Sequence, residues 1–156
     1  MISEDKKIVP LLASANTGSG VVLDSFKALG SRVTVIVTNG VVTGDAVWTV
    51  WSGATAAAKT SAVPFKIAVG GGAIGAANAD VLAAWTDVAT THTFTGTTYT
   101  TKMAILEIDV SAMDANNSEE WLTIDISSAG TNGITHAVAI LDKPRYSENM
   151  SATLLA

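Results

Sequence analysis

The stretch Trp121-Leu122-Thr123-Ile124-Asp125-Ile126-Ser127 alternates apolar and polar side chains, and it decides the fold class of this chain. Its three aliphatic residues would lie on one face of an extended backbone and its polar residues on the other, because successive side chains of a strand point in opposite directions. A period of two is typical of a strand with one buried face. The stretch therefore predicts a half-buried β-strand.

The segments on either side repeat this pattern. Residues 104–110 and residues 134–140 alternate in the same way. The connection of residues 111–120 is polar, and that of residues 128–133 is rich in Gly and Asn, which tolerate the positive φ angles of tight turns. Residues 102–141 therefore predict three consecutive strands that pair as an antiparallel meander.

Further strand and turn signals precede this region. Asn39-Gly40 and Thr43-Gly44-Asp45 are typical turn sequences. Residues 76–87 fit a short helix, with extended structure as the alternative. Strands separated by roughly 8–12 residues and by turns are typical of all-β domains. We therefore expect a single-domain antiparallel β-sandwich of jelly-roll-like type. The other predicted strands are residues 32–38, 46–51, 63–69 and 91–101.

Extended arms are expected at both ends of the sandwich. The domain is predicted over residues 21–142, between an N-terminal arm of residues 1–20 and a C-terminal arm of residues 143–156. Both arms place apolar side chains among polar ones, so they could add to a sheet edge or bury against a neighbour. The candidate partner-contacting residues of the arms are Ile8, Val9, Leu11, Leu12, Arg145, Tyr146, Leu154 and Leu155.

Composition limits the classes of function. With 48% hydrophobic and only 15% charged residues, the chain has few charges to coat a monomer, which favours a homo-oligomer or another covering partner. A formal net charge of −5 and nine scattered Lys and Arg residues disfavour nucleic-acid binding. The absence of Cys excludes disulfides and thiolate metal sites. No apolar run approaches the roughly 20 residues of a membrane span, and residues 1–13 do not resemble a signal peptide.

A glycine motif imitates a dinucleotide site. Gly70, Gly72 and Gly75 form a GxGxxG pattern between a strand-like and a helix-like segment. A Rossmann site also needs repeating βαβ units, whereas the flanking sequence here has all-β character. We therefore interpret the motif as a glycine-rich loop and expect no cofactor.

Candidate metal and catalytic groups are sparse. Asp114, Asn116, Ser118 and Asp125 imitate a calcium loop, but Glu119 stands where such a loop requires Gly. A solvated turn is the preferred interpretation, and whether residues 109–120 bind an ion stays open. The two histidines, His92 and His136, are too few for a three-histidine metal site. No serine lies in a nucleophile-elbow pattern, so we expect no enzyme activity.

Four tryptophans allow two interpretations. An aromatic platform for sugars is one, since β-sandwiches carry many lectin sites. A place in the core or at a subunit interface is commoner, because Trp buries a large area and dominates association hot spots. The second interpretation makes Trp48 and Trp51 candidate interface residues, beside Trp85 and Trp121.

A resemblance covers most of the chain. The segment Ile105-Leu106-Glu107-Ile108-Asp109-Val110-Ser111-Ala112-Met113-Asp114, the strand from Trp121, and the ending Ala137-Val138-Ala139-Ile140-Leu141 followed by Arg145-Tyr146 resemble a family of small virion structural proteins of tailed bacteriophages. The opening Lys7-Ile8-Val9-Pro10-Leu11-Leu12 resembles it more loosely. Residues 70–84 depart from the family's pattern.

The resemblance implies a non-enzymatic capsid decoration, or cement, protein. Such a protein would be assembled in the host cytoplasm, bind the major capsid protein on the outer surface of the virion, and stabilise the shell. It also implies a closed homo-oligomer, with a trimer favoured. The alternatives are a tail or head-fibre component and a carbohydrate-binding or receptor-reading module.

Overall fold

β-Strands make up most of the chain in its computed structural model. The structure describes residues 6–16, 20–28, 30–128 and 133–142. One four-residue helix, α1 (Gly96–Tyr99), and two 3-10 turns, Val110–Ala112 and Ala115–Asn117, accompany the strands. The strands are β1 (Lys6–Asn16), β2 (Val21–Val22), β3 (Phe26–Lys27), β4 (Arg32–Val42), β5 (Ala46–Gly53), β6 (Ser61–Ala62), β7 (Phe65–Val69), β8 (Thr86–Val88), β9 (Thr91–Phe94), β10 (Met103–Asp109), β11 (Trp121–Ser128) and β12 (Gly133–Asp142).

These strands form two antiparallel sheets. Sheet A has the order β1-β12-β4-β10-β7-β8. In sheet B, β11 and β5 are central, β2 and β3 pair with the two ends of β11, and β6 and β9 pair with the two ends of β5. The order β1-β12-β4-β10 facing (β2, β3)-β11-β5-(β6, β9) is that of a jelly roll with two Greek keys. The expected all-β sandwich is confirmed, and β7 and β8 widen sheet A beyond the jelly-roll order.

The core lies between the two sheets and follows the alternation of the strands. Side chains at alternate positions are fully buried in three strands: Val33, Val35 and Val37 of β4, Ala104, Leu106 and Ile108 of β10, and Leu122, Ile124 and Ile126 of β11. Trp48 of β5 is the largest fully buried side chain. The period of two read from the sequence therefore identifies the inward faces of β4, β10 and β11, whereas in β12 it is the face with the smaller side chains of Ala137 and Ala139 that is buried.

The predicted meander is wrong. β10 pairs with β4 and β7, and β12 pairs with β1 and β4, whereas β11 lies in the other sheet. The chain crosses from sheet A to sheet B and back, so that each strand turns its apolar face toward the shared core. Short connections do not require hairpin pairing, because two packed sheets are only about 10 Å apart. Residues 129–132, the second connection, lie outside the described residues.

Two local predictions are also wrong. Asn39-Gly40 lies inside β4 rather than at a turn, and Asn39 is buried, with its backbone N–H donating to the carbonyl of Lys102 at 3.0 Å. β12 pairs with Asn39 on one side, and Thr101 and Lys102, just before β10, bond to this part of β4 on the other. These contacts hold it extended, which overrides the local turn preference. Residues 76–87 form turns, an isolated bridge between Gly70 and Leu82, and the start of β8 rather than a helix.

The predicted N-terminal arm is part of the sandwich over Lys6–Asn16. This segment is β1, which pairs along its length with β12. Val9 and Leu11 are each only 2% exposed and belong to the core. Residues 1–5 and 143–156, which include the predicted C-terminal arm, lie outside the described residues.

Candidate interaction surfaces

The outer face of sheet A carries an unbroken apolar row. Pro10, Val138, Ile36, Ile105 and Ala68 are successive cross-strand partners on β1, β12, β4, β10 and β7. Each alternates along its strand with core residues, so its side chain points away from the sandwich. Pro10 is exposed, the three aliphatic residues in the middle are half-buried, and Ala68 is buried. Because a sheet face in water normally carries polar side chains, this row is typical of a surface that another protein covers.

The neighbouring row changes from apolar to charged across the sheet. Ile8, which is 53% exposed, pairs with Ile140 at the β1 edge. After one threonine of β4, the row continues through Glu107 and Lys66 to Asp87. Lys66 Nζ lies 3.4 Å from the Asp87 carboxylate. Aliphatic side chains therefore gather on the β1 side of the face and charges on the β8 side.

β1 is the long strand at one end of the described strand order of sheet A. It pairs with β12 on one side, and no described strand pairs with its other side. Pro10 has no N–H to offer, and the register shifts between Pro10 and Leu12 and again before Ala15. Proline and bulges blunt an edge against uncontrolled pairing. Residues 6–9 therefore form the regular stretch of this edge strand.

The outer face of sheet B is covered differently. Trp121 pairs with Gly53, two residues beyond Trp51 on β5, so the two tryptophans are diagonal neighbours, with Cα atoms roughly 7–8 Å apart. The loop after β5 folds over this face, where Lys59 Nζ lies 2.8 Å from the Asp125 carboxylate. Trp51 Nε1 is buried without a hydrogen-bond partner. Trp51, one of the two tryptophans that could form a platform for sugars, is thus half-buried beside the chain's own loop.

A cleft of about 470 Å³ lies at the charged end of sheet A. Phe65 contributes an apolar wall, and Arg32 Nη1 lies 3.6 Å from the Glu107 carboxylate. The hydroxyl and the backbone N–H of Ser111 donate to Asp109 and hold its pKa below the ordinary value, and the charge of Arg32 acts in the same direction. These carboxylates already have cationic or hydrogen-bonding partners, so the cleft is a network of paired charges.

A second cleft, of about 310 Å³, lies beside an aromatic cluster. His92 Nε2 lies 2.6 Å from the phenol oxygen of Tyr99, and both residues line the cleft with Lys102. The Phe94 ring lies 4.4 Å from the Tyr99 ring and 5.0 Å from the Trp48 ring, measured between centroids. Burial lowers the pKa of His92 and raises the pKa of Tyr99. Both rings are therefore neutral near pH 7, and they tie β9 and α1 to the core.

Glu119 is a buried carboxylate that the sequence did not reveal. Only 5% of the residue is exposed. The hydroxyl of Ser61 donates to Oε1 at 2.9 Å, and the hydroxyl of Ser52 donates to Oε2. The carboxylate thus fastens the loop before β11 to β5 and β6, and it is enclosed rather than presented to a substrate.

The glycine motif forms a folded-back loop. Gly71 N–H donates to Val81 at 2.8 Å, and Gly72 N–H donates to Asn78 at 3.2 Å. A Cβ atom on Gly70 would lie 2.7 Å from the carbonyl oxygen of Ala79. The glycines allow two backbone segments to approach closely, and no described helix begins there to hold a phosphate.

The residues that resemble a calcium-binding loop in sequence do not form a common set of oxygen ligands. Asp114 accepts from the backbone of Asn116 at 3.0 Å and from Asn117 Nδ2 at 2.7 Å, which closes a local turn. Asp125 lies on β11 with Lys59. No group of three or more His, Asp or Glu side chains in the described parts of the chain is arranged to hold a metal ion.

The candidate interface residues differ in how far the structure buries them. Val9, Leu11 and Trp48 are buried in the chain's own core, so the expectation that they contact a partner is wrong for this fold. Ile8 is exposed, while Leu12 and Trp51 are half-buried. Sequence reasoning missed the apolar row, although its signal was present as aliphatic residues at outward positions of predicted strands. Arg145, Tyr146, Leu154 and Leu155 lie outside the described residues.

Comparison with known proteins identifies no family. No protein-family model matches the chain, and no curated protein matches it. Among solved structures, a family GH115 4-O-methyl-α-glucuronidase with specificity for decorated arabinogalactans is similar at a TM-score of 0.32 and 11% identity, over 92% of this chain. The chain spans 17% of that protein's length. A likeness this weak carries no argument about function. In the described residues, no helix is long and apolar enough to span a membrane.

Proposed function

We propose that this chain is a non-enzymatic phage virion protein that decorates the capsid, binding the outer surface of the major capsid protein shell and stabilising it. The observation that carries the proposal is the apolar row across the outer face of sheet A. A protein that works alone in water has no use for such a face, whereas a component of an assembly buries it.

The disposition of the ionisable groups supports a role in packing. The described acidic groups with resolved contacts hold the fold together: Glu119 fastens a loop, Asp114 closes a turn, and Asp125, Asp87 and Glu107 pair with cations. The two clefts are lined by these pairs or by the His92–Tyr99 pair. Polar groups used in this way stabilise a rigid scaffold, which suits a shell component.

The edge of sheet A supports contact with a shell. β1 lies at one end of the described strand order of sheet A, and Ile8 is exposed on it. An apolar side chain of the shell could pack against Ile8. A ligand that binds only the assembled shell stabilises each site by about 2.7 kcal/mol when its free concentration is 100 times Kd.

The test is co-sedimentation of the purified protein with capsids that lack it, followed by thermal melting of the loaded shells. We expect saturable binding at a fixed ratio to the major capsid protein and a raised melting temperature of the shell. Ile8→Glu should weaken binding at least about tenfold, because it places a charge at the contact. Val81→Glu, at a similarly exposed site in the loop before β8, is the matched control.

Two outcomes would redirect the proposal. Presence in purified virions without any binding to capsids would assign the chain to the tail or a head fibre. Absence from virions would rule out both structural roles.

A carbohydrate-binding module is the second candidate, and the position of Trp121 favours it. This ring is half-exposed on the outer face of sheet B, diagonal to Trp51, and Lys27 Nζ lies 5.4 Å from its centroid. A glycan array distinguishes the two functions. Saturable binding that Trp121→Ala abolishes, while the variant still unfolds cooperatively, would support the carbohydrate reader.

A further inference from the structure

The outer face of sheet A has a centre of near symmetry. Its six strands stand in the order β1-β12-β4-β10-β7-β8, so three strands lie on each side of the boundary between β4 and β10. Ile36 and Ile105 are directly paired across that boundary, and so are Arg32 and Asp109. A two-fold axis drawn along the strands between β4 and β10 would therefore place one aliphatic residue opposite another and a cation opposite an anion.

We propose that a second copy of this chain covers the outer face of sheet A, related by a two-fold axis that runs along the strands between β4 and β10. The inference rests on the structural role proposed above, and it adds that the protein covering the apolar face is a second copy of the same chain. In this arrangement Ile36 packs against Ile105 of the second copy, and Ile105 against its Ile36. The result is an isologous pair rather than the trimer expected from the resemblance.

Charge complementarity supports this occupant. Under the same axis Arg32 lies over Asp109 of the second copy, and Asp109 lies over the second copy's Arg32. The arrangement therefore places two pairs of opposite charges across the interface. Asp109 is exposed in the single chain, and the Arg32 side chain is 61% exposed. Within the chain Arg32 already lies 3.6 Å from Glu107 and Asp109 accepts from Ser111, so contacts with a second copy would extend this network of paired charges.

The contacts beside the central pair are less extensive. On the apolar level Val138 lies over Ala68 of the second copy, which is only 1% exposed in its own chain and therefore adds little contact area. At the next level the aliphatic Ile140 lies over the stem of Lys66, whose ammonium group pairs with Asp87 at the rim. Long lysine stems cover apolar surface while their charge stays in water. No like charges are brought directly opposite each other by this arrangement.

The size of the shared face meets the minimum for a specific pair. Under this axis β1 faces β8, β12 faces β7 and β4 faces β10, so the overlap is limited by the three residues of β8, the five of β7 and the seven of β10. At about 4.8 Å between strands and about 3.3 Å per residue, it is roughly 480 Å² of projected area, close to the roughly 500 Å² per partner that a specific interface needs. Two such faces would pack about 10 Å apart with their strands within about 30° of each other, as in β-sandwiches.

The test uses sedimentation velocity of the full chain together with two charge variants. We expect the unaltered chain to sediment as a pair, and Ile36→Glu and Ile105→Lys to sediment as monomers when each is alone. An equimolar mixture of the two variants should sediment as a pair again. In the mixed pair one Ile36–Ile105 contact survives and the other becomes a contact between Glu and Lys.

The control is Val22→Glu, which introduces the same charge at a 47% exposed position of sheet B. It should leave the pair intact. If either charge variant fails to unfold cooperatively, cross-linking replaces it, since the chain has no native Cys. Chains with Ile36→Cys and Ile105→Cys, mixed and treated with a thiol-reactive linker of about 10 Å, should form a cross-linked heterodimer.

Several results would overturn the inference: a monomeric or trimeric unaltered chain, an Ile36→Glu variant that stays paired, or a mixture that fails to associate. These measurements use the purified chain without any shell. A monomer that still binds capsids would contradict the pairing alone, and a pair that does not bind capsids would contradict the decoration role alone.

Discussion

Glu119 accepts a 2.9 Å hydrogen bond from the hydroxyl of Ser61 in a position that water scarcely reaches. The hydroxyl of Ser52 donates to the other carboxylate oxygen. Glu120, the next residue, is instead exposed and pairs with Lys27 at 2.6 Å. The start of β11 is thus held by two adjacent glutamates, Glu119 through buried hydrogen bonds and Glu120 through a surface ion pair.

The buried glutamate should be the more important of the two for stability. Replacing Glu119 by Ala leaves the buried hydroxyl of Ser52 and the half-buried hydroxyl of Ser61 without this acceptor. We expect a loss of about 1–3 kcal/mol in the free energy of unfolding. Glu120→Ala removes only a surface ion pair and should cost less than about 1 kcal/mol. Urea unfolding of both variants measures the difference. Equal effects would show that Glu119 is not a structural tie.

Gly70 should resist substitution because of its neighbours. A Cβ atom at this position would lie 2.7 Å from the backbone oxygen of Ala79, which cannot rotate away. We expect Gly70→Ala to cost about 1–3 kcal/mol through strain in the folded-back loop. Gly40→Ala is the control, because its Cβ would lie 3.4 Å from Ile134, an ordinary contact. A thermal shift no larger than that of the control would contradict the strain.

Stability should fall in mild acid because of His92. Burial lowers its pKa from 6.5 in the folded chain, so between that lowered value and about 6.5 the unfolded chain binds more protons. The folded state therefore loses stability as the pH falls through this window. Thermal melts at successive pH values should show the loss in the unaltered chain and in His136→Gln, whose site on β12 is exposed. His92→Gln should be flatter, and an unchanged slope in that variant would contradict the assignment.

Truncation should show whether β1 belongs to the folded domain. Deleting residues 1–5 leaves β1 whole, and we expect little change in stability. Deleting residues 1–13 removes Val9 and Leu11 from the core and uncovers β12, so this variant should lose cooperative unfolding or aggregate. Leu11→Ala alone should cost about 2–5 kcal/mol. A longer truncation that still melts cooperatively would mean that β1 is dispensable, as an arm would be.

Some errors of the sequence-based prediction have a common cause. Asn39-Gly40 has turn chemistry, yet β12 on one side and the residues just before β10 on the other hold it extended. Ile8 and Leu11 belong to one apolar patch in the sequence, but β1 turns Leu11 into the core and leaves Ile8 exposed. In each case the outcome depends on a strand that lies far away along the chain, which local patterns do not contain.

The sequence by itself determined where the principal strands run and which of their faces is buried. The period of two in β4, β10 and β11 is a local property, since each side chain's direction follows from its own backbone. Tertiary structure alone decided the pairing of those strands, the burial of Glu119 and the apolar row on sheet A. Ile36, Ile105 and Val138 are distant in sequence, and only the register between β4, β10 and β12 brings them into one line. Register is a relation between strands, so no single strand's pattern could contain it.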